Sequence, residues 1–163
     1  MRPQCDHILR TVGMVLATQY LPMLETEHAR AELGLTALVM GVISEEFDRA
    51  AHRRVEENRE IRKIFKQAGG AVQDPDLRKR LETASGEIEE DFHVSALDRM
   101  NCDLQDLFIQ LHAHVEILEG KEARLLEETI WKEIENQVKR REFLTWEVAS
   151  QLLASISPDE PKA

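Results

Sequence analysis

Two stretches of this chain place side chains of one register at alternating spacings of three and four. One runs Phe47, Ala51, Arg54, Asn58, Ile61, Phe65 and Ala68; the other runs Leu97, Met100, Leu104, Leu107, Leu111, His114 and Leu118. An α-helix turns once in about 3.6 residues, so that period gathers each set on one helical face. A strand would need a period of two. The chain is therefore predicted to be all-α: an antiparallel helical bundle of four to five helices, with one long second helix and a C-terminal αα-hairpin. Residues 1–156 are expected to form a single helical-bundle domain. Residues 157–163, with two prolines and two acids, read as a disordered tail.

The five prolines and seven glycines punctuate this pattern more than they interrupt it. A first helix is predicted over roughly 4–21, with Leu9, Val12, Leu16 and Tyr20 on one face and Pro22 at its end. The second starts at Met23 to Glu25 and runs to about Gln67, before Gly69-Gly70. Asp74 as N-cap, Pro75 at the first position and Gly86 just past the end define a short third helix. An acidic connector, Glu87 to Asp91, follows. Ser95-Ala96-Leu97-Asp98 has capping-box spacing and is expected to open the fourth helix, which runs to about Glu119. Gly120 then turns the chain into a fifth helix. Its stripe is Leu126, Ile130, Ile134 and Val138, continued by Leu144, Val148 and Leu152.

Composition removes several function classes. A 42% apolar and 32% charged chain of 163 residues fits one soluble domain. A net charge of -10 opposes binding to nucleic acid, which rests on neutralising phosphates with Lys and Arg. The densest apolar run, Leu33 to Ile43, is about half the roughly 20 residues that cross a bilayer, so no membrane partner is expected. It reads instead as a helix segment buried on all sides, in the core or in a subunit interface. Val12 to Ala17 is too short for a signal-peptide core. Two cysteines, Cys5 and Cys102, are too few for a disulfide framework, and Cys102 is expected to be a small buried thiol. The expected setting is the reducing cytoplasm.

The common catalytic signatures are missing: no phosphate-binding glycine loop, no C-x-x-C, no H-E-x-x-H, no G-x-S-x-G. What remains is histidine and carboxylate. Glu25, His28 and Glu32 share one helical face, and His112 has Glu116 four residues on; these five are the candidate metal ligands. Asp48, His52 and Glu56 repeat the spacing, and Glu90 with His93 makes a second Glu-x-x-His. Two Glu-x-x-His pairs in a helical bundle resemble the ferritin-like di-metal carboxylate proteins. That resemblance implies iron, manganese or zinc held between facing helices. The His-x-x-x-Glu spacings of His28/Glu32, His52/Glu56 and His112/Glu116 resemble haemerythrin-like proteins in the same way. The chain departs from both patterns. Glu25 is its first glutamate, so no ligating Glu precedes the first pair, and no His-x-x-x-His exists because His112 and His114 are two apart. With 31 acidic residues, such pairs also arise on solvated helix faces with no metal at all.

Two polar residues, Arg54 and Asn58, stand on the apolar seam of the second helix. They either fix its register or mark where the seam opens to solvent. His114 stands on the fourth helix's stripe and reads as a satisfied core or interface histidine. The C-terminal segment carries Phe143, Leu144, Trp146, Val148, Leu152, Leu153 and Ile156. Together with Leu33 to Ile43, and with Trp131, this is more apolar surface than a small monomer covers. A homodimer is predicted, with one of the two segments in its interface. The sequence reads as a non-enzymatic interaction or regulatory module for which no cofactor is expected; the alternative is a metal-binding helical bundle.

Overall fold

The computed structural model describes residues 4–143. They form five α-helices and no strand among the described residues: α1 (Cys5–Val15), α2 (Glu27–Ala68), α3 (Pro75–Gly86), α4 (Val94–Glu116) and α5 (Lys121–Arg140). The all-α prediction and the long second helix both hold. The expected tail 157–163, together with Leu144, Trp146, Val148, Leu152, Leu153 and Ile156, lies outside the described residues.

The contacts divide the chain into two compact units, the first containing residues up to Arg49 and from Glu142 on, the second Ala50–Arg141. In the second unit, the latter part of α2, then α3, α4 and α5 alternate in direction around one core. The pairings fix that order: the Gln73 amide meets His114 near one end, and Asn58 meets both Glu89 and Asn101 near the other. The core is Ile61, Phe65 and Ala68 of α2, Leu77 and Leu81 of α3, Leu104, Phe108 and Leu111 of α4, and Leu126 and Ile130 of α5, with Val72 between helices. The Phe65 and Phe108 rings meet at 6.5 Å between centroids, tilted by 46°, a favourable aromatic geometry.

The helix ends follow their local chemistry. The Asp74 side chain accepts from the Asp76 and Leu77 amides, and Pro75 fills the first position where no amide is needed. Gly120 has φ of 121°, a backbone region that side-chain-bearing residues avoid, and it forms the turn into α5. The capping box predicted at Ser95 does not form. Helix α4 starts two residues earlier, at Val94, with His93 in the cap position and no side-chain cap, and Asp98 instead pairs with Arg54 at 2.8 Å. It also ends at Glu116, three residues short of the predicted end.

Helix α1 is shorter than the periodicity predicts. After Val15 the chain widens into a π-helical turn over Leu16–Tyr20, with the Leu21 amide bonded back to the Leu16 carbonyl. A short 3-10 turn containing Pro22 follows. Proline has no amide to donate, and its ring crowds the carbonyl four residues earlier. The wider turn relieves that crowding and ends the helix. In this first unit Gly13 is buried where α1 meets α2. A Cβ there would stand 3.1 Å from the Ala37 carbonyl oxygen. Ser44 donates to the Asp6 carbonyl at 2.7 Å across the same contact.

The two units differ in how much they bury. All seventeen buried apolar side chains among the described residues lie between Ala50 and Ile130. In the first unit the only buried described residues are Gly13 and Ser44. The prediction that Leu33 to Ile43 is buried on all sides is therefore corrected: Leu35, Val39 and Ile43 stand 61%, 44% and 48% exposed. The run is apolar all round, but α1 covers one side of it only. Replacing Leu111, which is fully buried, by alanine is expected to cost about 2–5 kcal/mol in chemical denaturation, as a transfer term plus a cavity term.

Candidate functional site

One end of the four-helix core is polar. Glu57 and Asn58 on α2, Asn101 on α4, and Glu133 and Gln137 on α5 are all buried. The register of the helices brings them to one level. On α5 the buried line passes from Ile130 to Glu133 and Gln137, so Val138, predicted as part of the apolar stripe, is turned out and 60% exposed.

Burying a polar group without a partner costs several kcal/mol, so these groups pair. Asn101 Nδ2 donates to Asn58 Oδ1 at 2.9 Å and reaches Glu57 Oε2 at 3.4 Å. Asn58 Nδ2 donates in turn to Glu89 Oε1 at 3.2 Å. Arg62, also buried, gives its Nη1 to the same Glu89 oxygen at 2.5 Å. Arg141 grips Glu57 with two donors, at 3.3 and 3.1 Å. Gln105 donates to Gln137 at 2.9 Å, and Arg140 holds Glu133 with two donors. The layer ties α2, the connector after α3, α4 and α5 to one another. Of the two predicted roles for Asn58, the structure shows the buried one.

The electrostatics follow from those partners. Burial pushes the Glu89 carboxyl up, but hydrogen bonds from Arg62, its own backbone and Asn58, with the Arg62 charge, outweigh it. The net result is a carboxyl below its ordinary value. The hydrogen bond to Glu133 holds Arg140 above the usual guanidinium value despite partial burial. A general acid at neutral pH needs a carboxyl pushed the other way. In this layer Glu57, Glu89 and Glu133 each have an arginine partner.

Beside the layer lies an open cleft of about 500 Å³. Glu57, Asn101 and Gln137 line it, with Arg54, Asp98 and Arg141 among the charged walls. Binding pockets for apolar ligands are mostly apolar. This one is lined by polar and charged side chains, and two of its carboxylates, Glu57 and Asp98, are held by Arg141 and Arg54. Cys102 is on the same wall and is exposed, which corrects the expectation of a buried thiol. It lies on the α4 face next to the buried one, one residue past Asn101.

The candidate metal ligands are placed apart from this layer. His28 and Glu32 form an exposed pair at 3.3 Å on α2, and Glu25 is exposed before the helix begins. His112 Nε2 stands 3.6 Å from Glu116, with its ring edge-on to Trp131 at 5.0 Å. His52 is 85% exposed, 4.0 Å from Glu56. His93 pairs with Asp91, and its neighbour Glu90 takes no part. Among the described residues no three His, Cys, Asp or Glu side chains come together to hold a metal. His114 is half-buried, and its Nε2 accepts the Gln73 amide at 3.3 Å.

The first unit presents a different surface. Leu35, Val39, Ile43 and Phe47 of α2 form a line of exposed apolar side chains, with Ile8, Val12 and Met14 exposed on α1 and Tyr20 and Met23 on the turns between. No described helix is long and apolar enough to cross a membrane. Comparison with known proteins finds no match to a family model, to a curated protein or to a solved structure.

The Glu89 pairing makes a pH-dependent prediction. In the folded chain this carboxyl holds its proton more weakly than in the unfolded one, so the pairing stabilises above the ordinary carboxylate value of 4.5 and fades as pH falls below it. Glu89→Gln leaves Arg62 buried beside an amide, with an expected cost of about 3 kcal/mol at neutral pH. Urea melts from pH 7 to 3 should show the variant and the parent converging as acid removes the charge that the variant lacks.

Proposed function

We propose that this chain is a non-enzymatic helical interaction module that works through the apolar face of its first unit. One observation carries the reading: two packed helices there bury no apolar side chain among their described residues, while Leu35, Val39, Ile43 and Phe47 stand exposed in line. Exposed contiguous apolar surface marks an interaction site in a soluble protein. Helices whose described apolar side chains are at most half-buried gain stability from whatever further surface packs on them. The second unit supplies the rigid part. Its core and its charge-paired polar layer fix one register, and in its cleft Glu57 is held by Arg141 and Asp98 by Arg54. A scaffold of this type, carrying an unsatisfied face, fits recognition better than turnover.

The test is a chain with Leu35→Ser, Val39→Ser and Phe47→Ser. These side chains are already exposed, so each substitution should change the stability of the monomer, measured by denaturant melts at high dilution, by about 0.5 kcal/mol or less. Association through the face, followed by sedimentation velocity, should be lost. Destabilisation of the dilute monomer by several kcal/mol would mean that these residues belong to a core, and would overturn the reading.

A further inference from the structure

We infer that the occupant of the apolar face is a second copy of the same chain, packed about a two-fold axis that passes near Val39 and Ile43. The inference rests on the interaction reading above and names its partner. Three observations point to a copy rather than to a different protein.

The first is need. The described part of the first unit buries only Gly13 and Ser44, so its cover is required whenever the unit is folded, not only on signalling. Helices whose described apolar side chains are nowhere fully buried are marginal in water without further packing. The partner present at the chain's own concentration, as it folds, is another copy.

The second is charge. The chain carries a net charge of -10, so two copies repel unless their contact keeps charges apart. The residues from Leu33 to Ser44 include no Asp, Glu, Lys or Arg. The exposed line Leu35, Val39, Ile43 thus lies within the longest neutral part of the first unit's long helix, with Glu32 before it and Glu45 after it. An isologous contact centred there sets like charges at its two ends instead of in its middle.

The third is shape. Leu35, Val39, Ile43 and Phe47 follow one another at intervals of four, which makes a ridge along the i±4n row of the helix. Two identical ridges of that type interlock with the helices crossing at roughly 50°, the commonest class of helix packing. Two-fold symmetry requires the ridge to be its own complement, and its midpoint falls between Val39 and Ile43. The ridge is about 18 Å long at 1.5 Å per residue, long enough for a full crossing.

The experiment uses the full chain and two opposite charges at one position. Val39→Glu and Val39→Lys should each sediment as a folded monomer, with the dimer weakened by more than about tenfold, because each places two like charges at the symmetric centre. Mixed in equal amounts, the two should form a heterodimer. The unsubstituted dimer should hold or tighten as salt rises, since its contact is neutral and only the overall repulsion is screened. If either charged variant fails to fold, Ile43→Ser, at a side chain already half exposed, should weaken the dimer by itself.

A parent chain that stays monomeric at roughly 100 μM, where a dimer with a Kd of about 10 μM is mostly formed, overturns the inference. If the triple serine variant is then silent in the dilute monomer, a different protein covers the face and the interaction reading stands. If it is destabilised, the chain's own residues cover the face and both readings fall. A dimer that survives Val39→Glu unchanged also overturns the inference, because it must use another surface.

Discussion

An apolar helix face has to be covered, and the two units of this chain meet that requirement unequally. In the second unit four helices close on one another. Every stripe position from Ile61 to Ala68 finds a partner on α3, α4 or α5, and Leu81, Leu111 and Ile130 are fully buried. At about 25 cal/mol per Å² of apolar surface removed from water, that closure is the main stabilising term in the chain. In the first unit, by contrast, no described apolar side chain is fully buried where α1 meets α2. That contact depends on a glycine, Gly13, where the Ala37 backbone comes close, and on one hydroxyl-to-carbonyl bond from Ser44. The apolar line left exposed beside that contact is the surface on which the proposed interaction rests.

The polar layer answers a different question, which is why the second unit has one arrangement rather than several. Similar apolar stripes on α2, α4 and α5 would pack almost as well if one helix slid by a turn. A slip would separate Asn58 from Asn101, Glu57 from Arg141, and Gln105 from Gln137, leaving buried groups without partners. Each orphan costs roughly 1–3 kcal/mol, and charged ones cost more. Buried ion pairs contribute little net stability over apolar substitutes, but they penalise the wrong register heavily. Glu89 extends the same control to the connector, which carries three other acids within residues 87–91 and would otherwise have no reason to stay near α2.

Much of this architecture could be read from the sequence, because helix periodicity and end signals are local. Asp74, Pro75 and Gly120 act where their chemistry placed them. The failures have a common physical origin: they are decided by what lies across from a residue. Asp98 had the spacing of a cap but had Arg54 opposite it, and the charge-assisted bond won. Glu133 and Gln137 lie off the predicted stripe of Leu126, Ile130, Ile134 and Val138, and they are buried at the level where Gln105 of the neighbouring helix meets Gln137. Of the polar residues visible beforehand on apolar stripes, Asn58 led to this layer and Arg54 to the cleft beside it. The histidine–carboxylate pairs show the reverse. Their spacing is real, as His28 with Glu32 demonstrates, but spacing along one helix says nothing about whether a second helix brings further ligands. The exposure of Leu35, Val39 and Ile43 was likewise hidden, since an apolar run reads the same whether a core or a partner covers it.

If the proposed contact forms, the first unit depends on it and the second unit does not. Hydrogen exchange of the full chain at low and high protein concentration separates the two directly. Amides of α2 between Leu33 and Phe47 should become more protected as concentration rises, while those from Ile61 to Ala68 and along α4 should not change. Equal protection of both stretches at every concentration would contradict the account, because the first unit would then be holding itself together.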